Sequence, residues 1–462
     1  MALESLAPEI LLIILEHVFS PLDMIAAINA SPNLYRSYIA YKQHLQENIL
    51  TRAIHPTCRA DAYTALDVQN IQRQITSGTK ITKLKAECFS IFVTDRKRRS
   101  RNHGVFKVDD DKLETLFNLQ ASTERLIDTF CHWSLRNLFS KDHDHPPLPP
   151  STTIPRANLS YTEQARLQRA FYRCEVFARF HRVLQLQDKS SAMNFIQIVM
   201  SFGSQFRQHE FEEIVCIRQF LAKCVESLCE TLEDDFTTFC SKKSLLDAGV
   251  ERKPDHKYDT LIEKDNTGTP LSKTFKDCGL FLFTNEYRST PYHDNHVKYL
   301  VSCGPAYILS LNNLPPRDLR DVLVKSQRYS NDLDVNDYFV TGTMIDENID
   351  KISRKSFYYG KVVSIDRDEV DSHNLGWEWG TSFDTDVKPD SPSNAILRDM
   401  GYVFWDVGRL VDSGLVIEPY VVALGTEFFP PGFKRAFSRP SVEERLFGWK
   451  LDTNVLREWR GV

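Results

Sequence analysis

The stretch "SYTEQARLQRAFYRCEVFARFHRVLQL", residues 160–186, decides the fold class. Ser160 followed by Glu163 forms a capping box, in which each side chain takes up a backbone N–H at the start of a helix. Leu167, Phe171, Cys174, Val176 and Phe177, then Phe180 and Leu184, recur at helical spacing and give one broad apolar face. Two more stretches read the same way. "DKLETLFNLQASTERLIDTFCHWSLRNLF", residues 111–139, spaces Leu113, Leu116, Phe117, Leu126, Ile127 and Phe130 as a helix does. "FEEIVCIRQFLAKCVESLCETLEDDF", residues 211–236, is similar. Together they predict a mainly α protein with a sizeable helical core. Alternating runs at "GKVVSID" (360–366) and "EPYVVALGTEFF" (418–429) read as a few short strands.

The chain has 462 residues, which the length prior spreads over roughly two to four domains. Hydrophobic content of 42% and charged content of 26% are those of an ordinary globular protein. With 57 basic and 62 acidic residues the net charge is −5, which argues against a general nucleic-acid or membrane-surface binder. Ten cysteines include no C-x-x-C pair and read as buried thiols in a reducing compartment. "EILLIILEHVFS", residues 9–20, is apolar, but Glu4 stands where a signal peptide is basic, and Glu16 and His17 interrupt it. No stretch approaches the roughly 18 apolar residues of a membrane span. The expected location is the cytoplasm or nucleus.

The first fifty residues read as three short helices. The first runs from Pro8 to about Phe19, with Ile10, Ile14 and Val18 on one stripe and Leu11 and Leu15 beside it. Leu12 and Ile13 lie on nearly opposite ground, so this helix is apolar almost all round and needs cover on more than one side. Ser20–Pro21 and Ser31–Pro32 mark the starts of the second and third helices: serine caps, and proline at the first position loses no hydrogen bond. The second ends near Ala30. The third carries Leu34, Tyr35, Tyr38, Ile39, Tyr41, Leu45 and Ile49. Three such helices cannot bury that much apolar surface among themselves. They dock either on the rest of this chain or on another protein.

"LESLAPEILLIILEHVFSPLDMIAAINASPNLYRSY" resembles an F-box, in the variant common in fungal proteins. Leu6, Glu9 and Ile10 match the motif's opening, Ile14 and Leu15 its first helix, and Leu22, Asp23 and Met24 the start of its second. Ala7 stands where the family has its first proline, with Pro8 after it, and "ENILTRAI" replaces the tryptophan that often ends the motif. "LRDMGYVFWDVGRL", residues 397–410, also resembles a recurring segment of these proteins and reads as a buried aromatic turn and helix. The resemblance implies that residues 1–50 dock on a Skp-type adaptor, and through it on a cullin scaffold, while the helical body holds an unknown protein target. It implies adaptor contacts at Leu6, Pro8, Ile10, Leu11, Ile14, Leu15, Leu22 and Met24. It implies no catalysis and no cofactor. The alternative is a structural or regulatory protein whose F-box-like helices pack on its own body.

Beyond residue 50 the expected order is a helical segment (51–140), a proline-rich loop or linker (141–160) and a large irregular helical body (161–462). That body carries a polar, helix-poor insertion at 241–275, and no repeat of fixed period appears. "RKRRSR", Arg96–Arg101, reads as a solvated loop, with nuclear import or phosphate binding as alternatives. His143, Asp144 and His145, and again His293, Asp294 and His296, have metal-like spacing but lack further ligands, and read as surface residues. "EDD" at 233–235 reads as solvated acid. No G-x-S-x-G elbow, glycine-rich phosphate loop or H-E-x-x-H motif occurs.

Overall fold

A computed structural model describes residues 6–76, 110–139, 158–185, 206–247, 281–284, 292–326 and 392–413, with single residues 91, 94, 96, 287, 374 and 459. Every regular element among them is helical, and the fold is mainly α. The runs at 360–366 and 418–429, the linker up to residue 157 with His143 to His145, and Lys97 to Arg101 lie outside the described residues. No helix among the described residues is long and apolar enough to cross a membrane.

The amino-terminal unit follows its capping signals. Helix α1 is Pro8–Glu16, α2 Pro21–Ala30 and α3 Pro32–Ala40. The Ser20 hydroxyl accepts from the N–H groups of Leu22 (3.1 Å) and Asp23 (3.4 Å), and Ser31 accepts from Leu34. Helix α1 stops short of Phe19 because Arg52 donates to the carbonyls of Glu16 (2.6 Å) and Val18 (2.9 Å), which closes the helix end. The expected long third helix breaks at Tyr41 (φ −123°, ψ 24°), and α4 begins at Lys42 and runs to Ala53. The break has a packing reason. Helix α3 lies on α1 and α2, whereas α4 turns Leu45 and Ile49 inward and lies on the next long helix.

Helices α5 (Arg59–Thr76), α6 (Asp110–Phe139) and α8 (Gln208–Asp247) surround α7 (Tyr161–Gln185). Helices α9 (Tyr292–Ser302) and α10 (Pro305–Asn312) close further sides of it, and α11 (Pro316–Ser326) packs on α8. Helix α8 continues to Asp247, so residues 241–247 are helical and the start of the expected helix-poor insertion is corrected. The Ser160–Glu163 capping box forms as read, Glu163 accepting from the Ser160 N–H at 3.0 Å and Ser160 from the Glu163 N–H at 3.1 Å.

Every side chain of α7 from Ala165 to Arg179 is buried. Its polar face is therefore as dry as its apolar one, and each charge on it needs a partner. Arg166 donates to the Phe404 carbonyl (3.1 Å) and Asp406 (2.9 Å). Arg169 grips Glu213 with two nitrogens, at 3.1 and 2.6 Å. Arg173 reaches Asp61 (2.9 Å) and Glu210 (2.8 Å), and Arg179 reaches Glu175 (2.6 Å) and the Ala65 carbonyl (2.7 Å). Asp61 also receives Arg96 at 2.5 Å. Arg96, first residue of the basic run, is thus a buried ion-pair partner and not a solvated one. Burial pushes the Asp61 carboxyl up, but Arg96 and Arg173 outweigh it and hold the group below the usual carboxylate range.

The segment 397–410 is the buried aromatic turn and helix expected of it. Helix α12 (Pro392–Asp399) leads into Gly401, and α13 (Val407–Asp412) leaves after Trp405. Phe404 and Trp405 close on Phe130 of α6 at ring-centroid distances of 5.2 and 6.2 Å. Gly401 has φ +65°, and a Cβ there would stand 2.9 Å from the Phe130 ring. Both constraints select glycine. Gly401→Ala should cost about 2–4 kcal/mol in chemical denaturation, from backbone strain plus overpacking. Gly408→Ala, helical and with open space around it, should leave stability unchanged or raise it by about 0.5–1 kcal/mol.

Candidate interaction surface

The eight residues expected at an adaptor contact divide between inside and outside. Leu11, Leu15 and Met24 are buried, the last two fully, and they form the inner packing of the α1–α4 unit. Ile10 is 45% exposed and Ile14 36% exposed, and Pro8 is exposed as well. Leu6 and Leu22 are half-buried. Of the expected set, Leu11, Leu15 and Met24 thus shape the unit from within, while Pro8, Ile10 and Ile14 face solvent.

The structure adds residues to the outer set. Among the described residues nine large hydrophobic side chains are exposed, and seven of them fall between Ile10 and Tyr41: Ile10, Ile13, Ile14, Phe19, Tyr35, Ile39 and Tyr41. Five of the seven (Ile13, Phe19, Tyr35, Ile39 and Tyr41) lie outside the expected set. For Ile13 the signal was present, since an apolar residue opposite the buried stripe has nowhere to hide on a helix packed from one side. The rim is polar and its pairs are solvent-facing: His44 meets Glu16 at 3.1 Å, and Lys42 meets Glu114 at 3.1 Å. Such pairs add little stability.

The unit is held from behind. Helices α2 and α4 pack on α6, while the main neighbours of α1 are α3 and α4. Ser20 donates to Glu124 of α6 at 2.5 Å, and Glu124 also accepts from Gln120 at 2.9 Å. Gln120 and Gln168 both donate to the Ala53 carbonyl at the end of α4, at 3.3 and 2.7 Å. Tyr172 of α7 donates to Gln120. Inside the unit Tyr38 accepts from Gln46 at 2.8 Å, and burial raises its phenol above the usual tyrosine range against that bond. Arg52 stacks over Phe19 at 5.0 Å and so braces the α1–α2 turn. The arrangement presents an apolar face on a braced support, which suits docking of a protein partner.

His293 and His296 are corrected as surface residues: both are buried on α9. The Ser326 hydroxyl donates to the Leu323 carbonyl (3.0 Å), so its oxygen accepts from Nε2–H of His296 (2.8 Å). That leaves Nδ1 to accept from the Tyr287 hydroxyl (2.5 Å). Both nitrogens are engaged by protein, and no group of three or more metal-ligating side chains occurs among the described residues. Glu233 is likewise buried and not solvated. Cys58, Cys131, Cys174, Cys216, Cys224 and Cys240 are buried thiols as expected, and burial pushes those of Cys58 and Cys174 up to about 12, which makes them unreactive.

No family model, curated protein or solved structure matches the chain.

Two outcomes test this description. Ile14→Asp should keep the wild-type melt, whereas Leu15→Asp, a charge placed in the packed interior, should cost more than about 3 kcal/mol by urea titration. Burial, aided by His293, pushes the His296 imidazole down to about 3. The unfolded chain gains a proton near the ordinary value of about 6.5 that the folded protein refuses, so stability falls as pH drops from about 6.5 towards 3. Between about pH 7 and pH 5 this amounts to about 2 kcal/mol. His296→Gln should remove that slope when the two titrations are compared.

Proposed function

We propose that the chain is the substrate receptor of a cullin-type ubiquitin ligase, with a Skp-type adaptor seated on the exposed face of α1 and α3 and a protein target held by the helical body. The observation that supports this most is the concentration of exposed large hydrophobics between Ile10 and Tyr41 on a unit braced against α6. Ile10 and Ile14, which the F-box resemblance assigns to the adaptor, are open to solvent. The receptor does no chemistry itself. It acts by holding a target beside the conjugating machinery, a gain in effective concentration. Such an assembly belongs to the cytoplasm or nucleus.

A second reading draws on a different observation: α2 and α4 do pack on the chain's own body, through Ser20 and Glu124 among others. On that reading the unit is structural and engages no ligase. Capture on immobilised Skp-type adaptor separates the two. Wild type is expected to bind, and the double variant Ile10→Asp, Ile14→Asp to bind at least tenfold more weakly with an unchanged melting temperature. A folded wild-type chain that is not captured overturns the receptor reading and leaves the structural one.

A further inference from the structure

Among the described residues the most exposed large hydrophobic side chain is Phe19, at 65%. It belongs to neither helix beside it, standing between the end of α1 and Ser20, the cap of α2. Both of its chain neighbours are pinned. The Val18 carbonyl accepts from Arg52 at 2.9 Å. The Ser20 hydroxyl donates to Glu124 of α6 at 2.5 Å and accepts from the Leu22 N–H at 3.1 Å. Arg52 is fixed in turn. Its Nε donates to the Asn48 carbonyl at 3.2 Å and its Nη2 to those of Glu16 and Val18, and the guanidinium lies 5.0 Å from the centre of the Phe19 ring.

A single exposed phenylalanine is ordinary on a protein surface. This one differs in three ways. Its backbone is held on both sides, so little freedom is left to lose when a partner binds. Its ring rests on a guanidinium instead of sinking into the core. And Arg52, with Nε and Nη2 both spent on carbonyls, keeps Nη1 without a bond among the described residues. A rigid aromatic beside an arginine is the pairing that dominates binding energy at protein interfaces. The ring calls for an apolar pocket, and the N–H groups left on a fixed cation call for a carboxylate.

We infer that Phe19 is the anchor of the adaptor contact, with Arg52 holding its ring in place and pairing with the partner. The adaptor surface that fits them is an apolar pocket with a carboxylate at its lip. Neither residue is among the eight that the F-box resemblance assigns, and Arg52 lies on α4, beyond the motif. The inference rests on the receptor reading and adds to it an anchor and a charge on the partner.

The test titrates the full chain on immobilised Skp-type adaptor at about 0.05 M and about 0.5 M NaCl, a range over which exposed charge pairs become screened. Phe19→Ala should weaken binding at least tenfold at both salt concentrations, with an unchanged melting temperature. Arg52→Gln should weaken it at least fivefold at low salt and by less at high salt, as expected of a rim charge. In the Phe19→Ala chain the same change should cost less than in wild type, because part of the task of Arg52 is to hold the ring. Wild type and Phe19→Ala binding alike overturns the inference and leaves the receptor reading standing, whatever Arg52→Gln does to the melt. An Arg52→Gln loss that ignores salt and is the same with and without Phe19 overturns the role given to Arg52. A folded wild type that is not captured overturns both the receptor reading and the inference.

Discussion

Four arginines on a helix with no dry-to-wet boundary set the terms for everything around them. Arg166, Arg169 and Arg173, at i, i+3 and i+7, share one face of α7 while Arg179 lies off it, and each must meet an acceptor. A buried charge left without its partner costs about 3–5 kcal/mol, so the neighbours of α7 are constrained in register as well as in contact. Asp61 sets α5, Glu210 and Glu213 set the first turns of α8, and Asp406 sets the turn before α13. Hydrophobic burial draws these helices together, and charge pairing selects one arrangement among the many an apolar surface would accept.

The same logic explains why the amino-terminal unit is both attached and open. Its attachment runs through polar bonds at defined points, Ser20 to Glu124 and the Ala53 carbonyl to Gln120 and Gln168. Those bonds hold α2 and the end of α4, and leave α1 and α3 with their outer faces uncovered. A partner bound there would be held in a fixed orientation to the body rather than on a tether.

The sequence made much of this legible where a local rule governs. The Ser–Pro starts of α2 and α3, the Ser160–Glu163 box and the three long helices follow from capping and periodicity, which act within a few residues. What could not be read is non-local. The apolar stripe of α7 was visible, but periodicity treats the opposite face as wet, and only the arrival of α5, α8 and residue 406 makes it dry. Tyr41 breaks a good helical pattern because α3 and α4 serve different neighbours. Within α1, Ile10 and Leu11 are equivalent by hydrophobicity, and which one faces inward depends on where α3 and α4 lie. His296 and Glu233 went the same way: a polar residue in a charged stretch reads as surface until its burial is seen.

Glu163 and Asp406 carry one more consequence. Glu163 caps α7 and accepts from the Asp406 N–H and from Arg409, while Ser160, Thr162 and Arg166 all donate to Asp406, across some 240 residues of sequence. During synthesis at about 5–20 residues per second, the start of α7 leaves the ribosome well over ten seconds before its partners do. Until then Arg166 lacks its acceptors at Phe404 and Asp406, Glu163 lacks the Asp406 N–H and Arg409, and the side of Phe130 that Phe404 and Trp405 cover stays open. The start of α7 is thus completed only from the carboxy-terminal side, once residues 404–409 have been made.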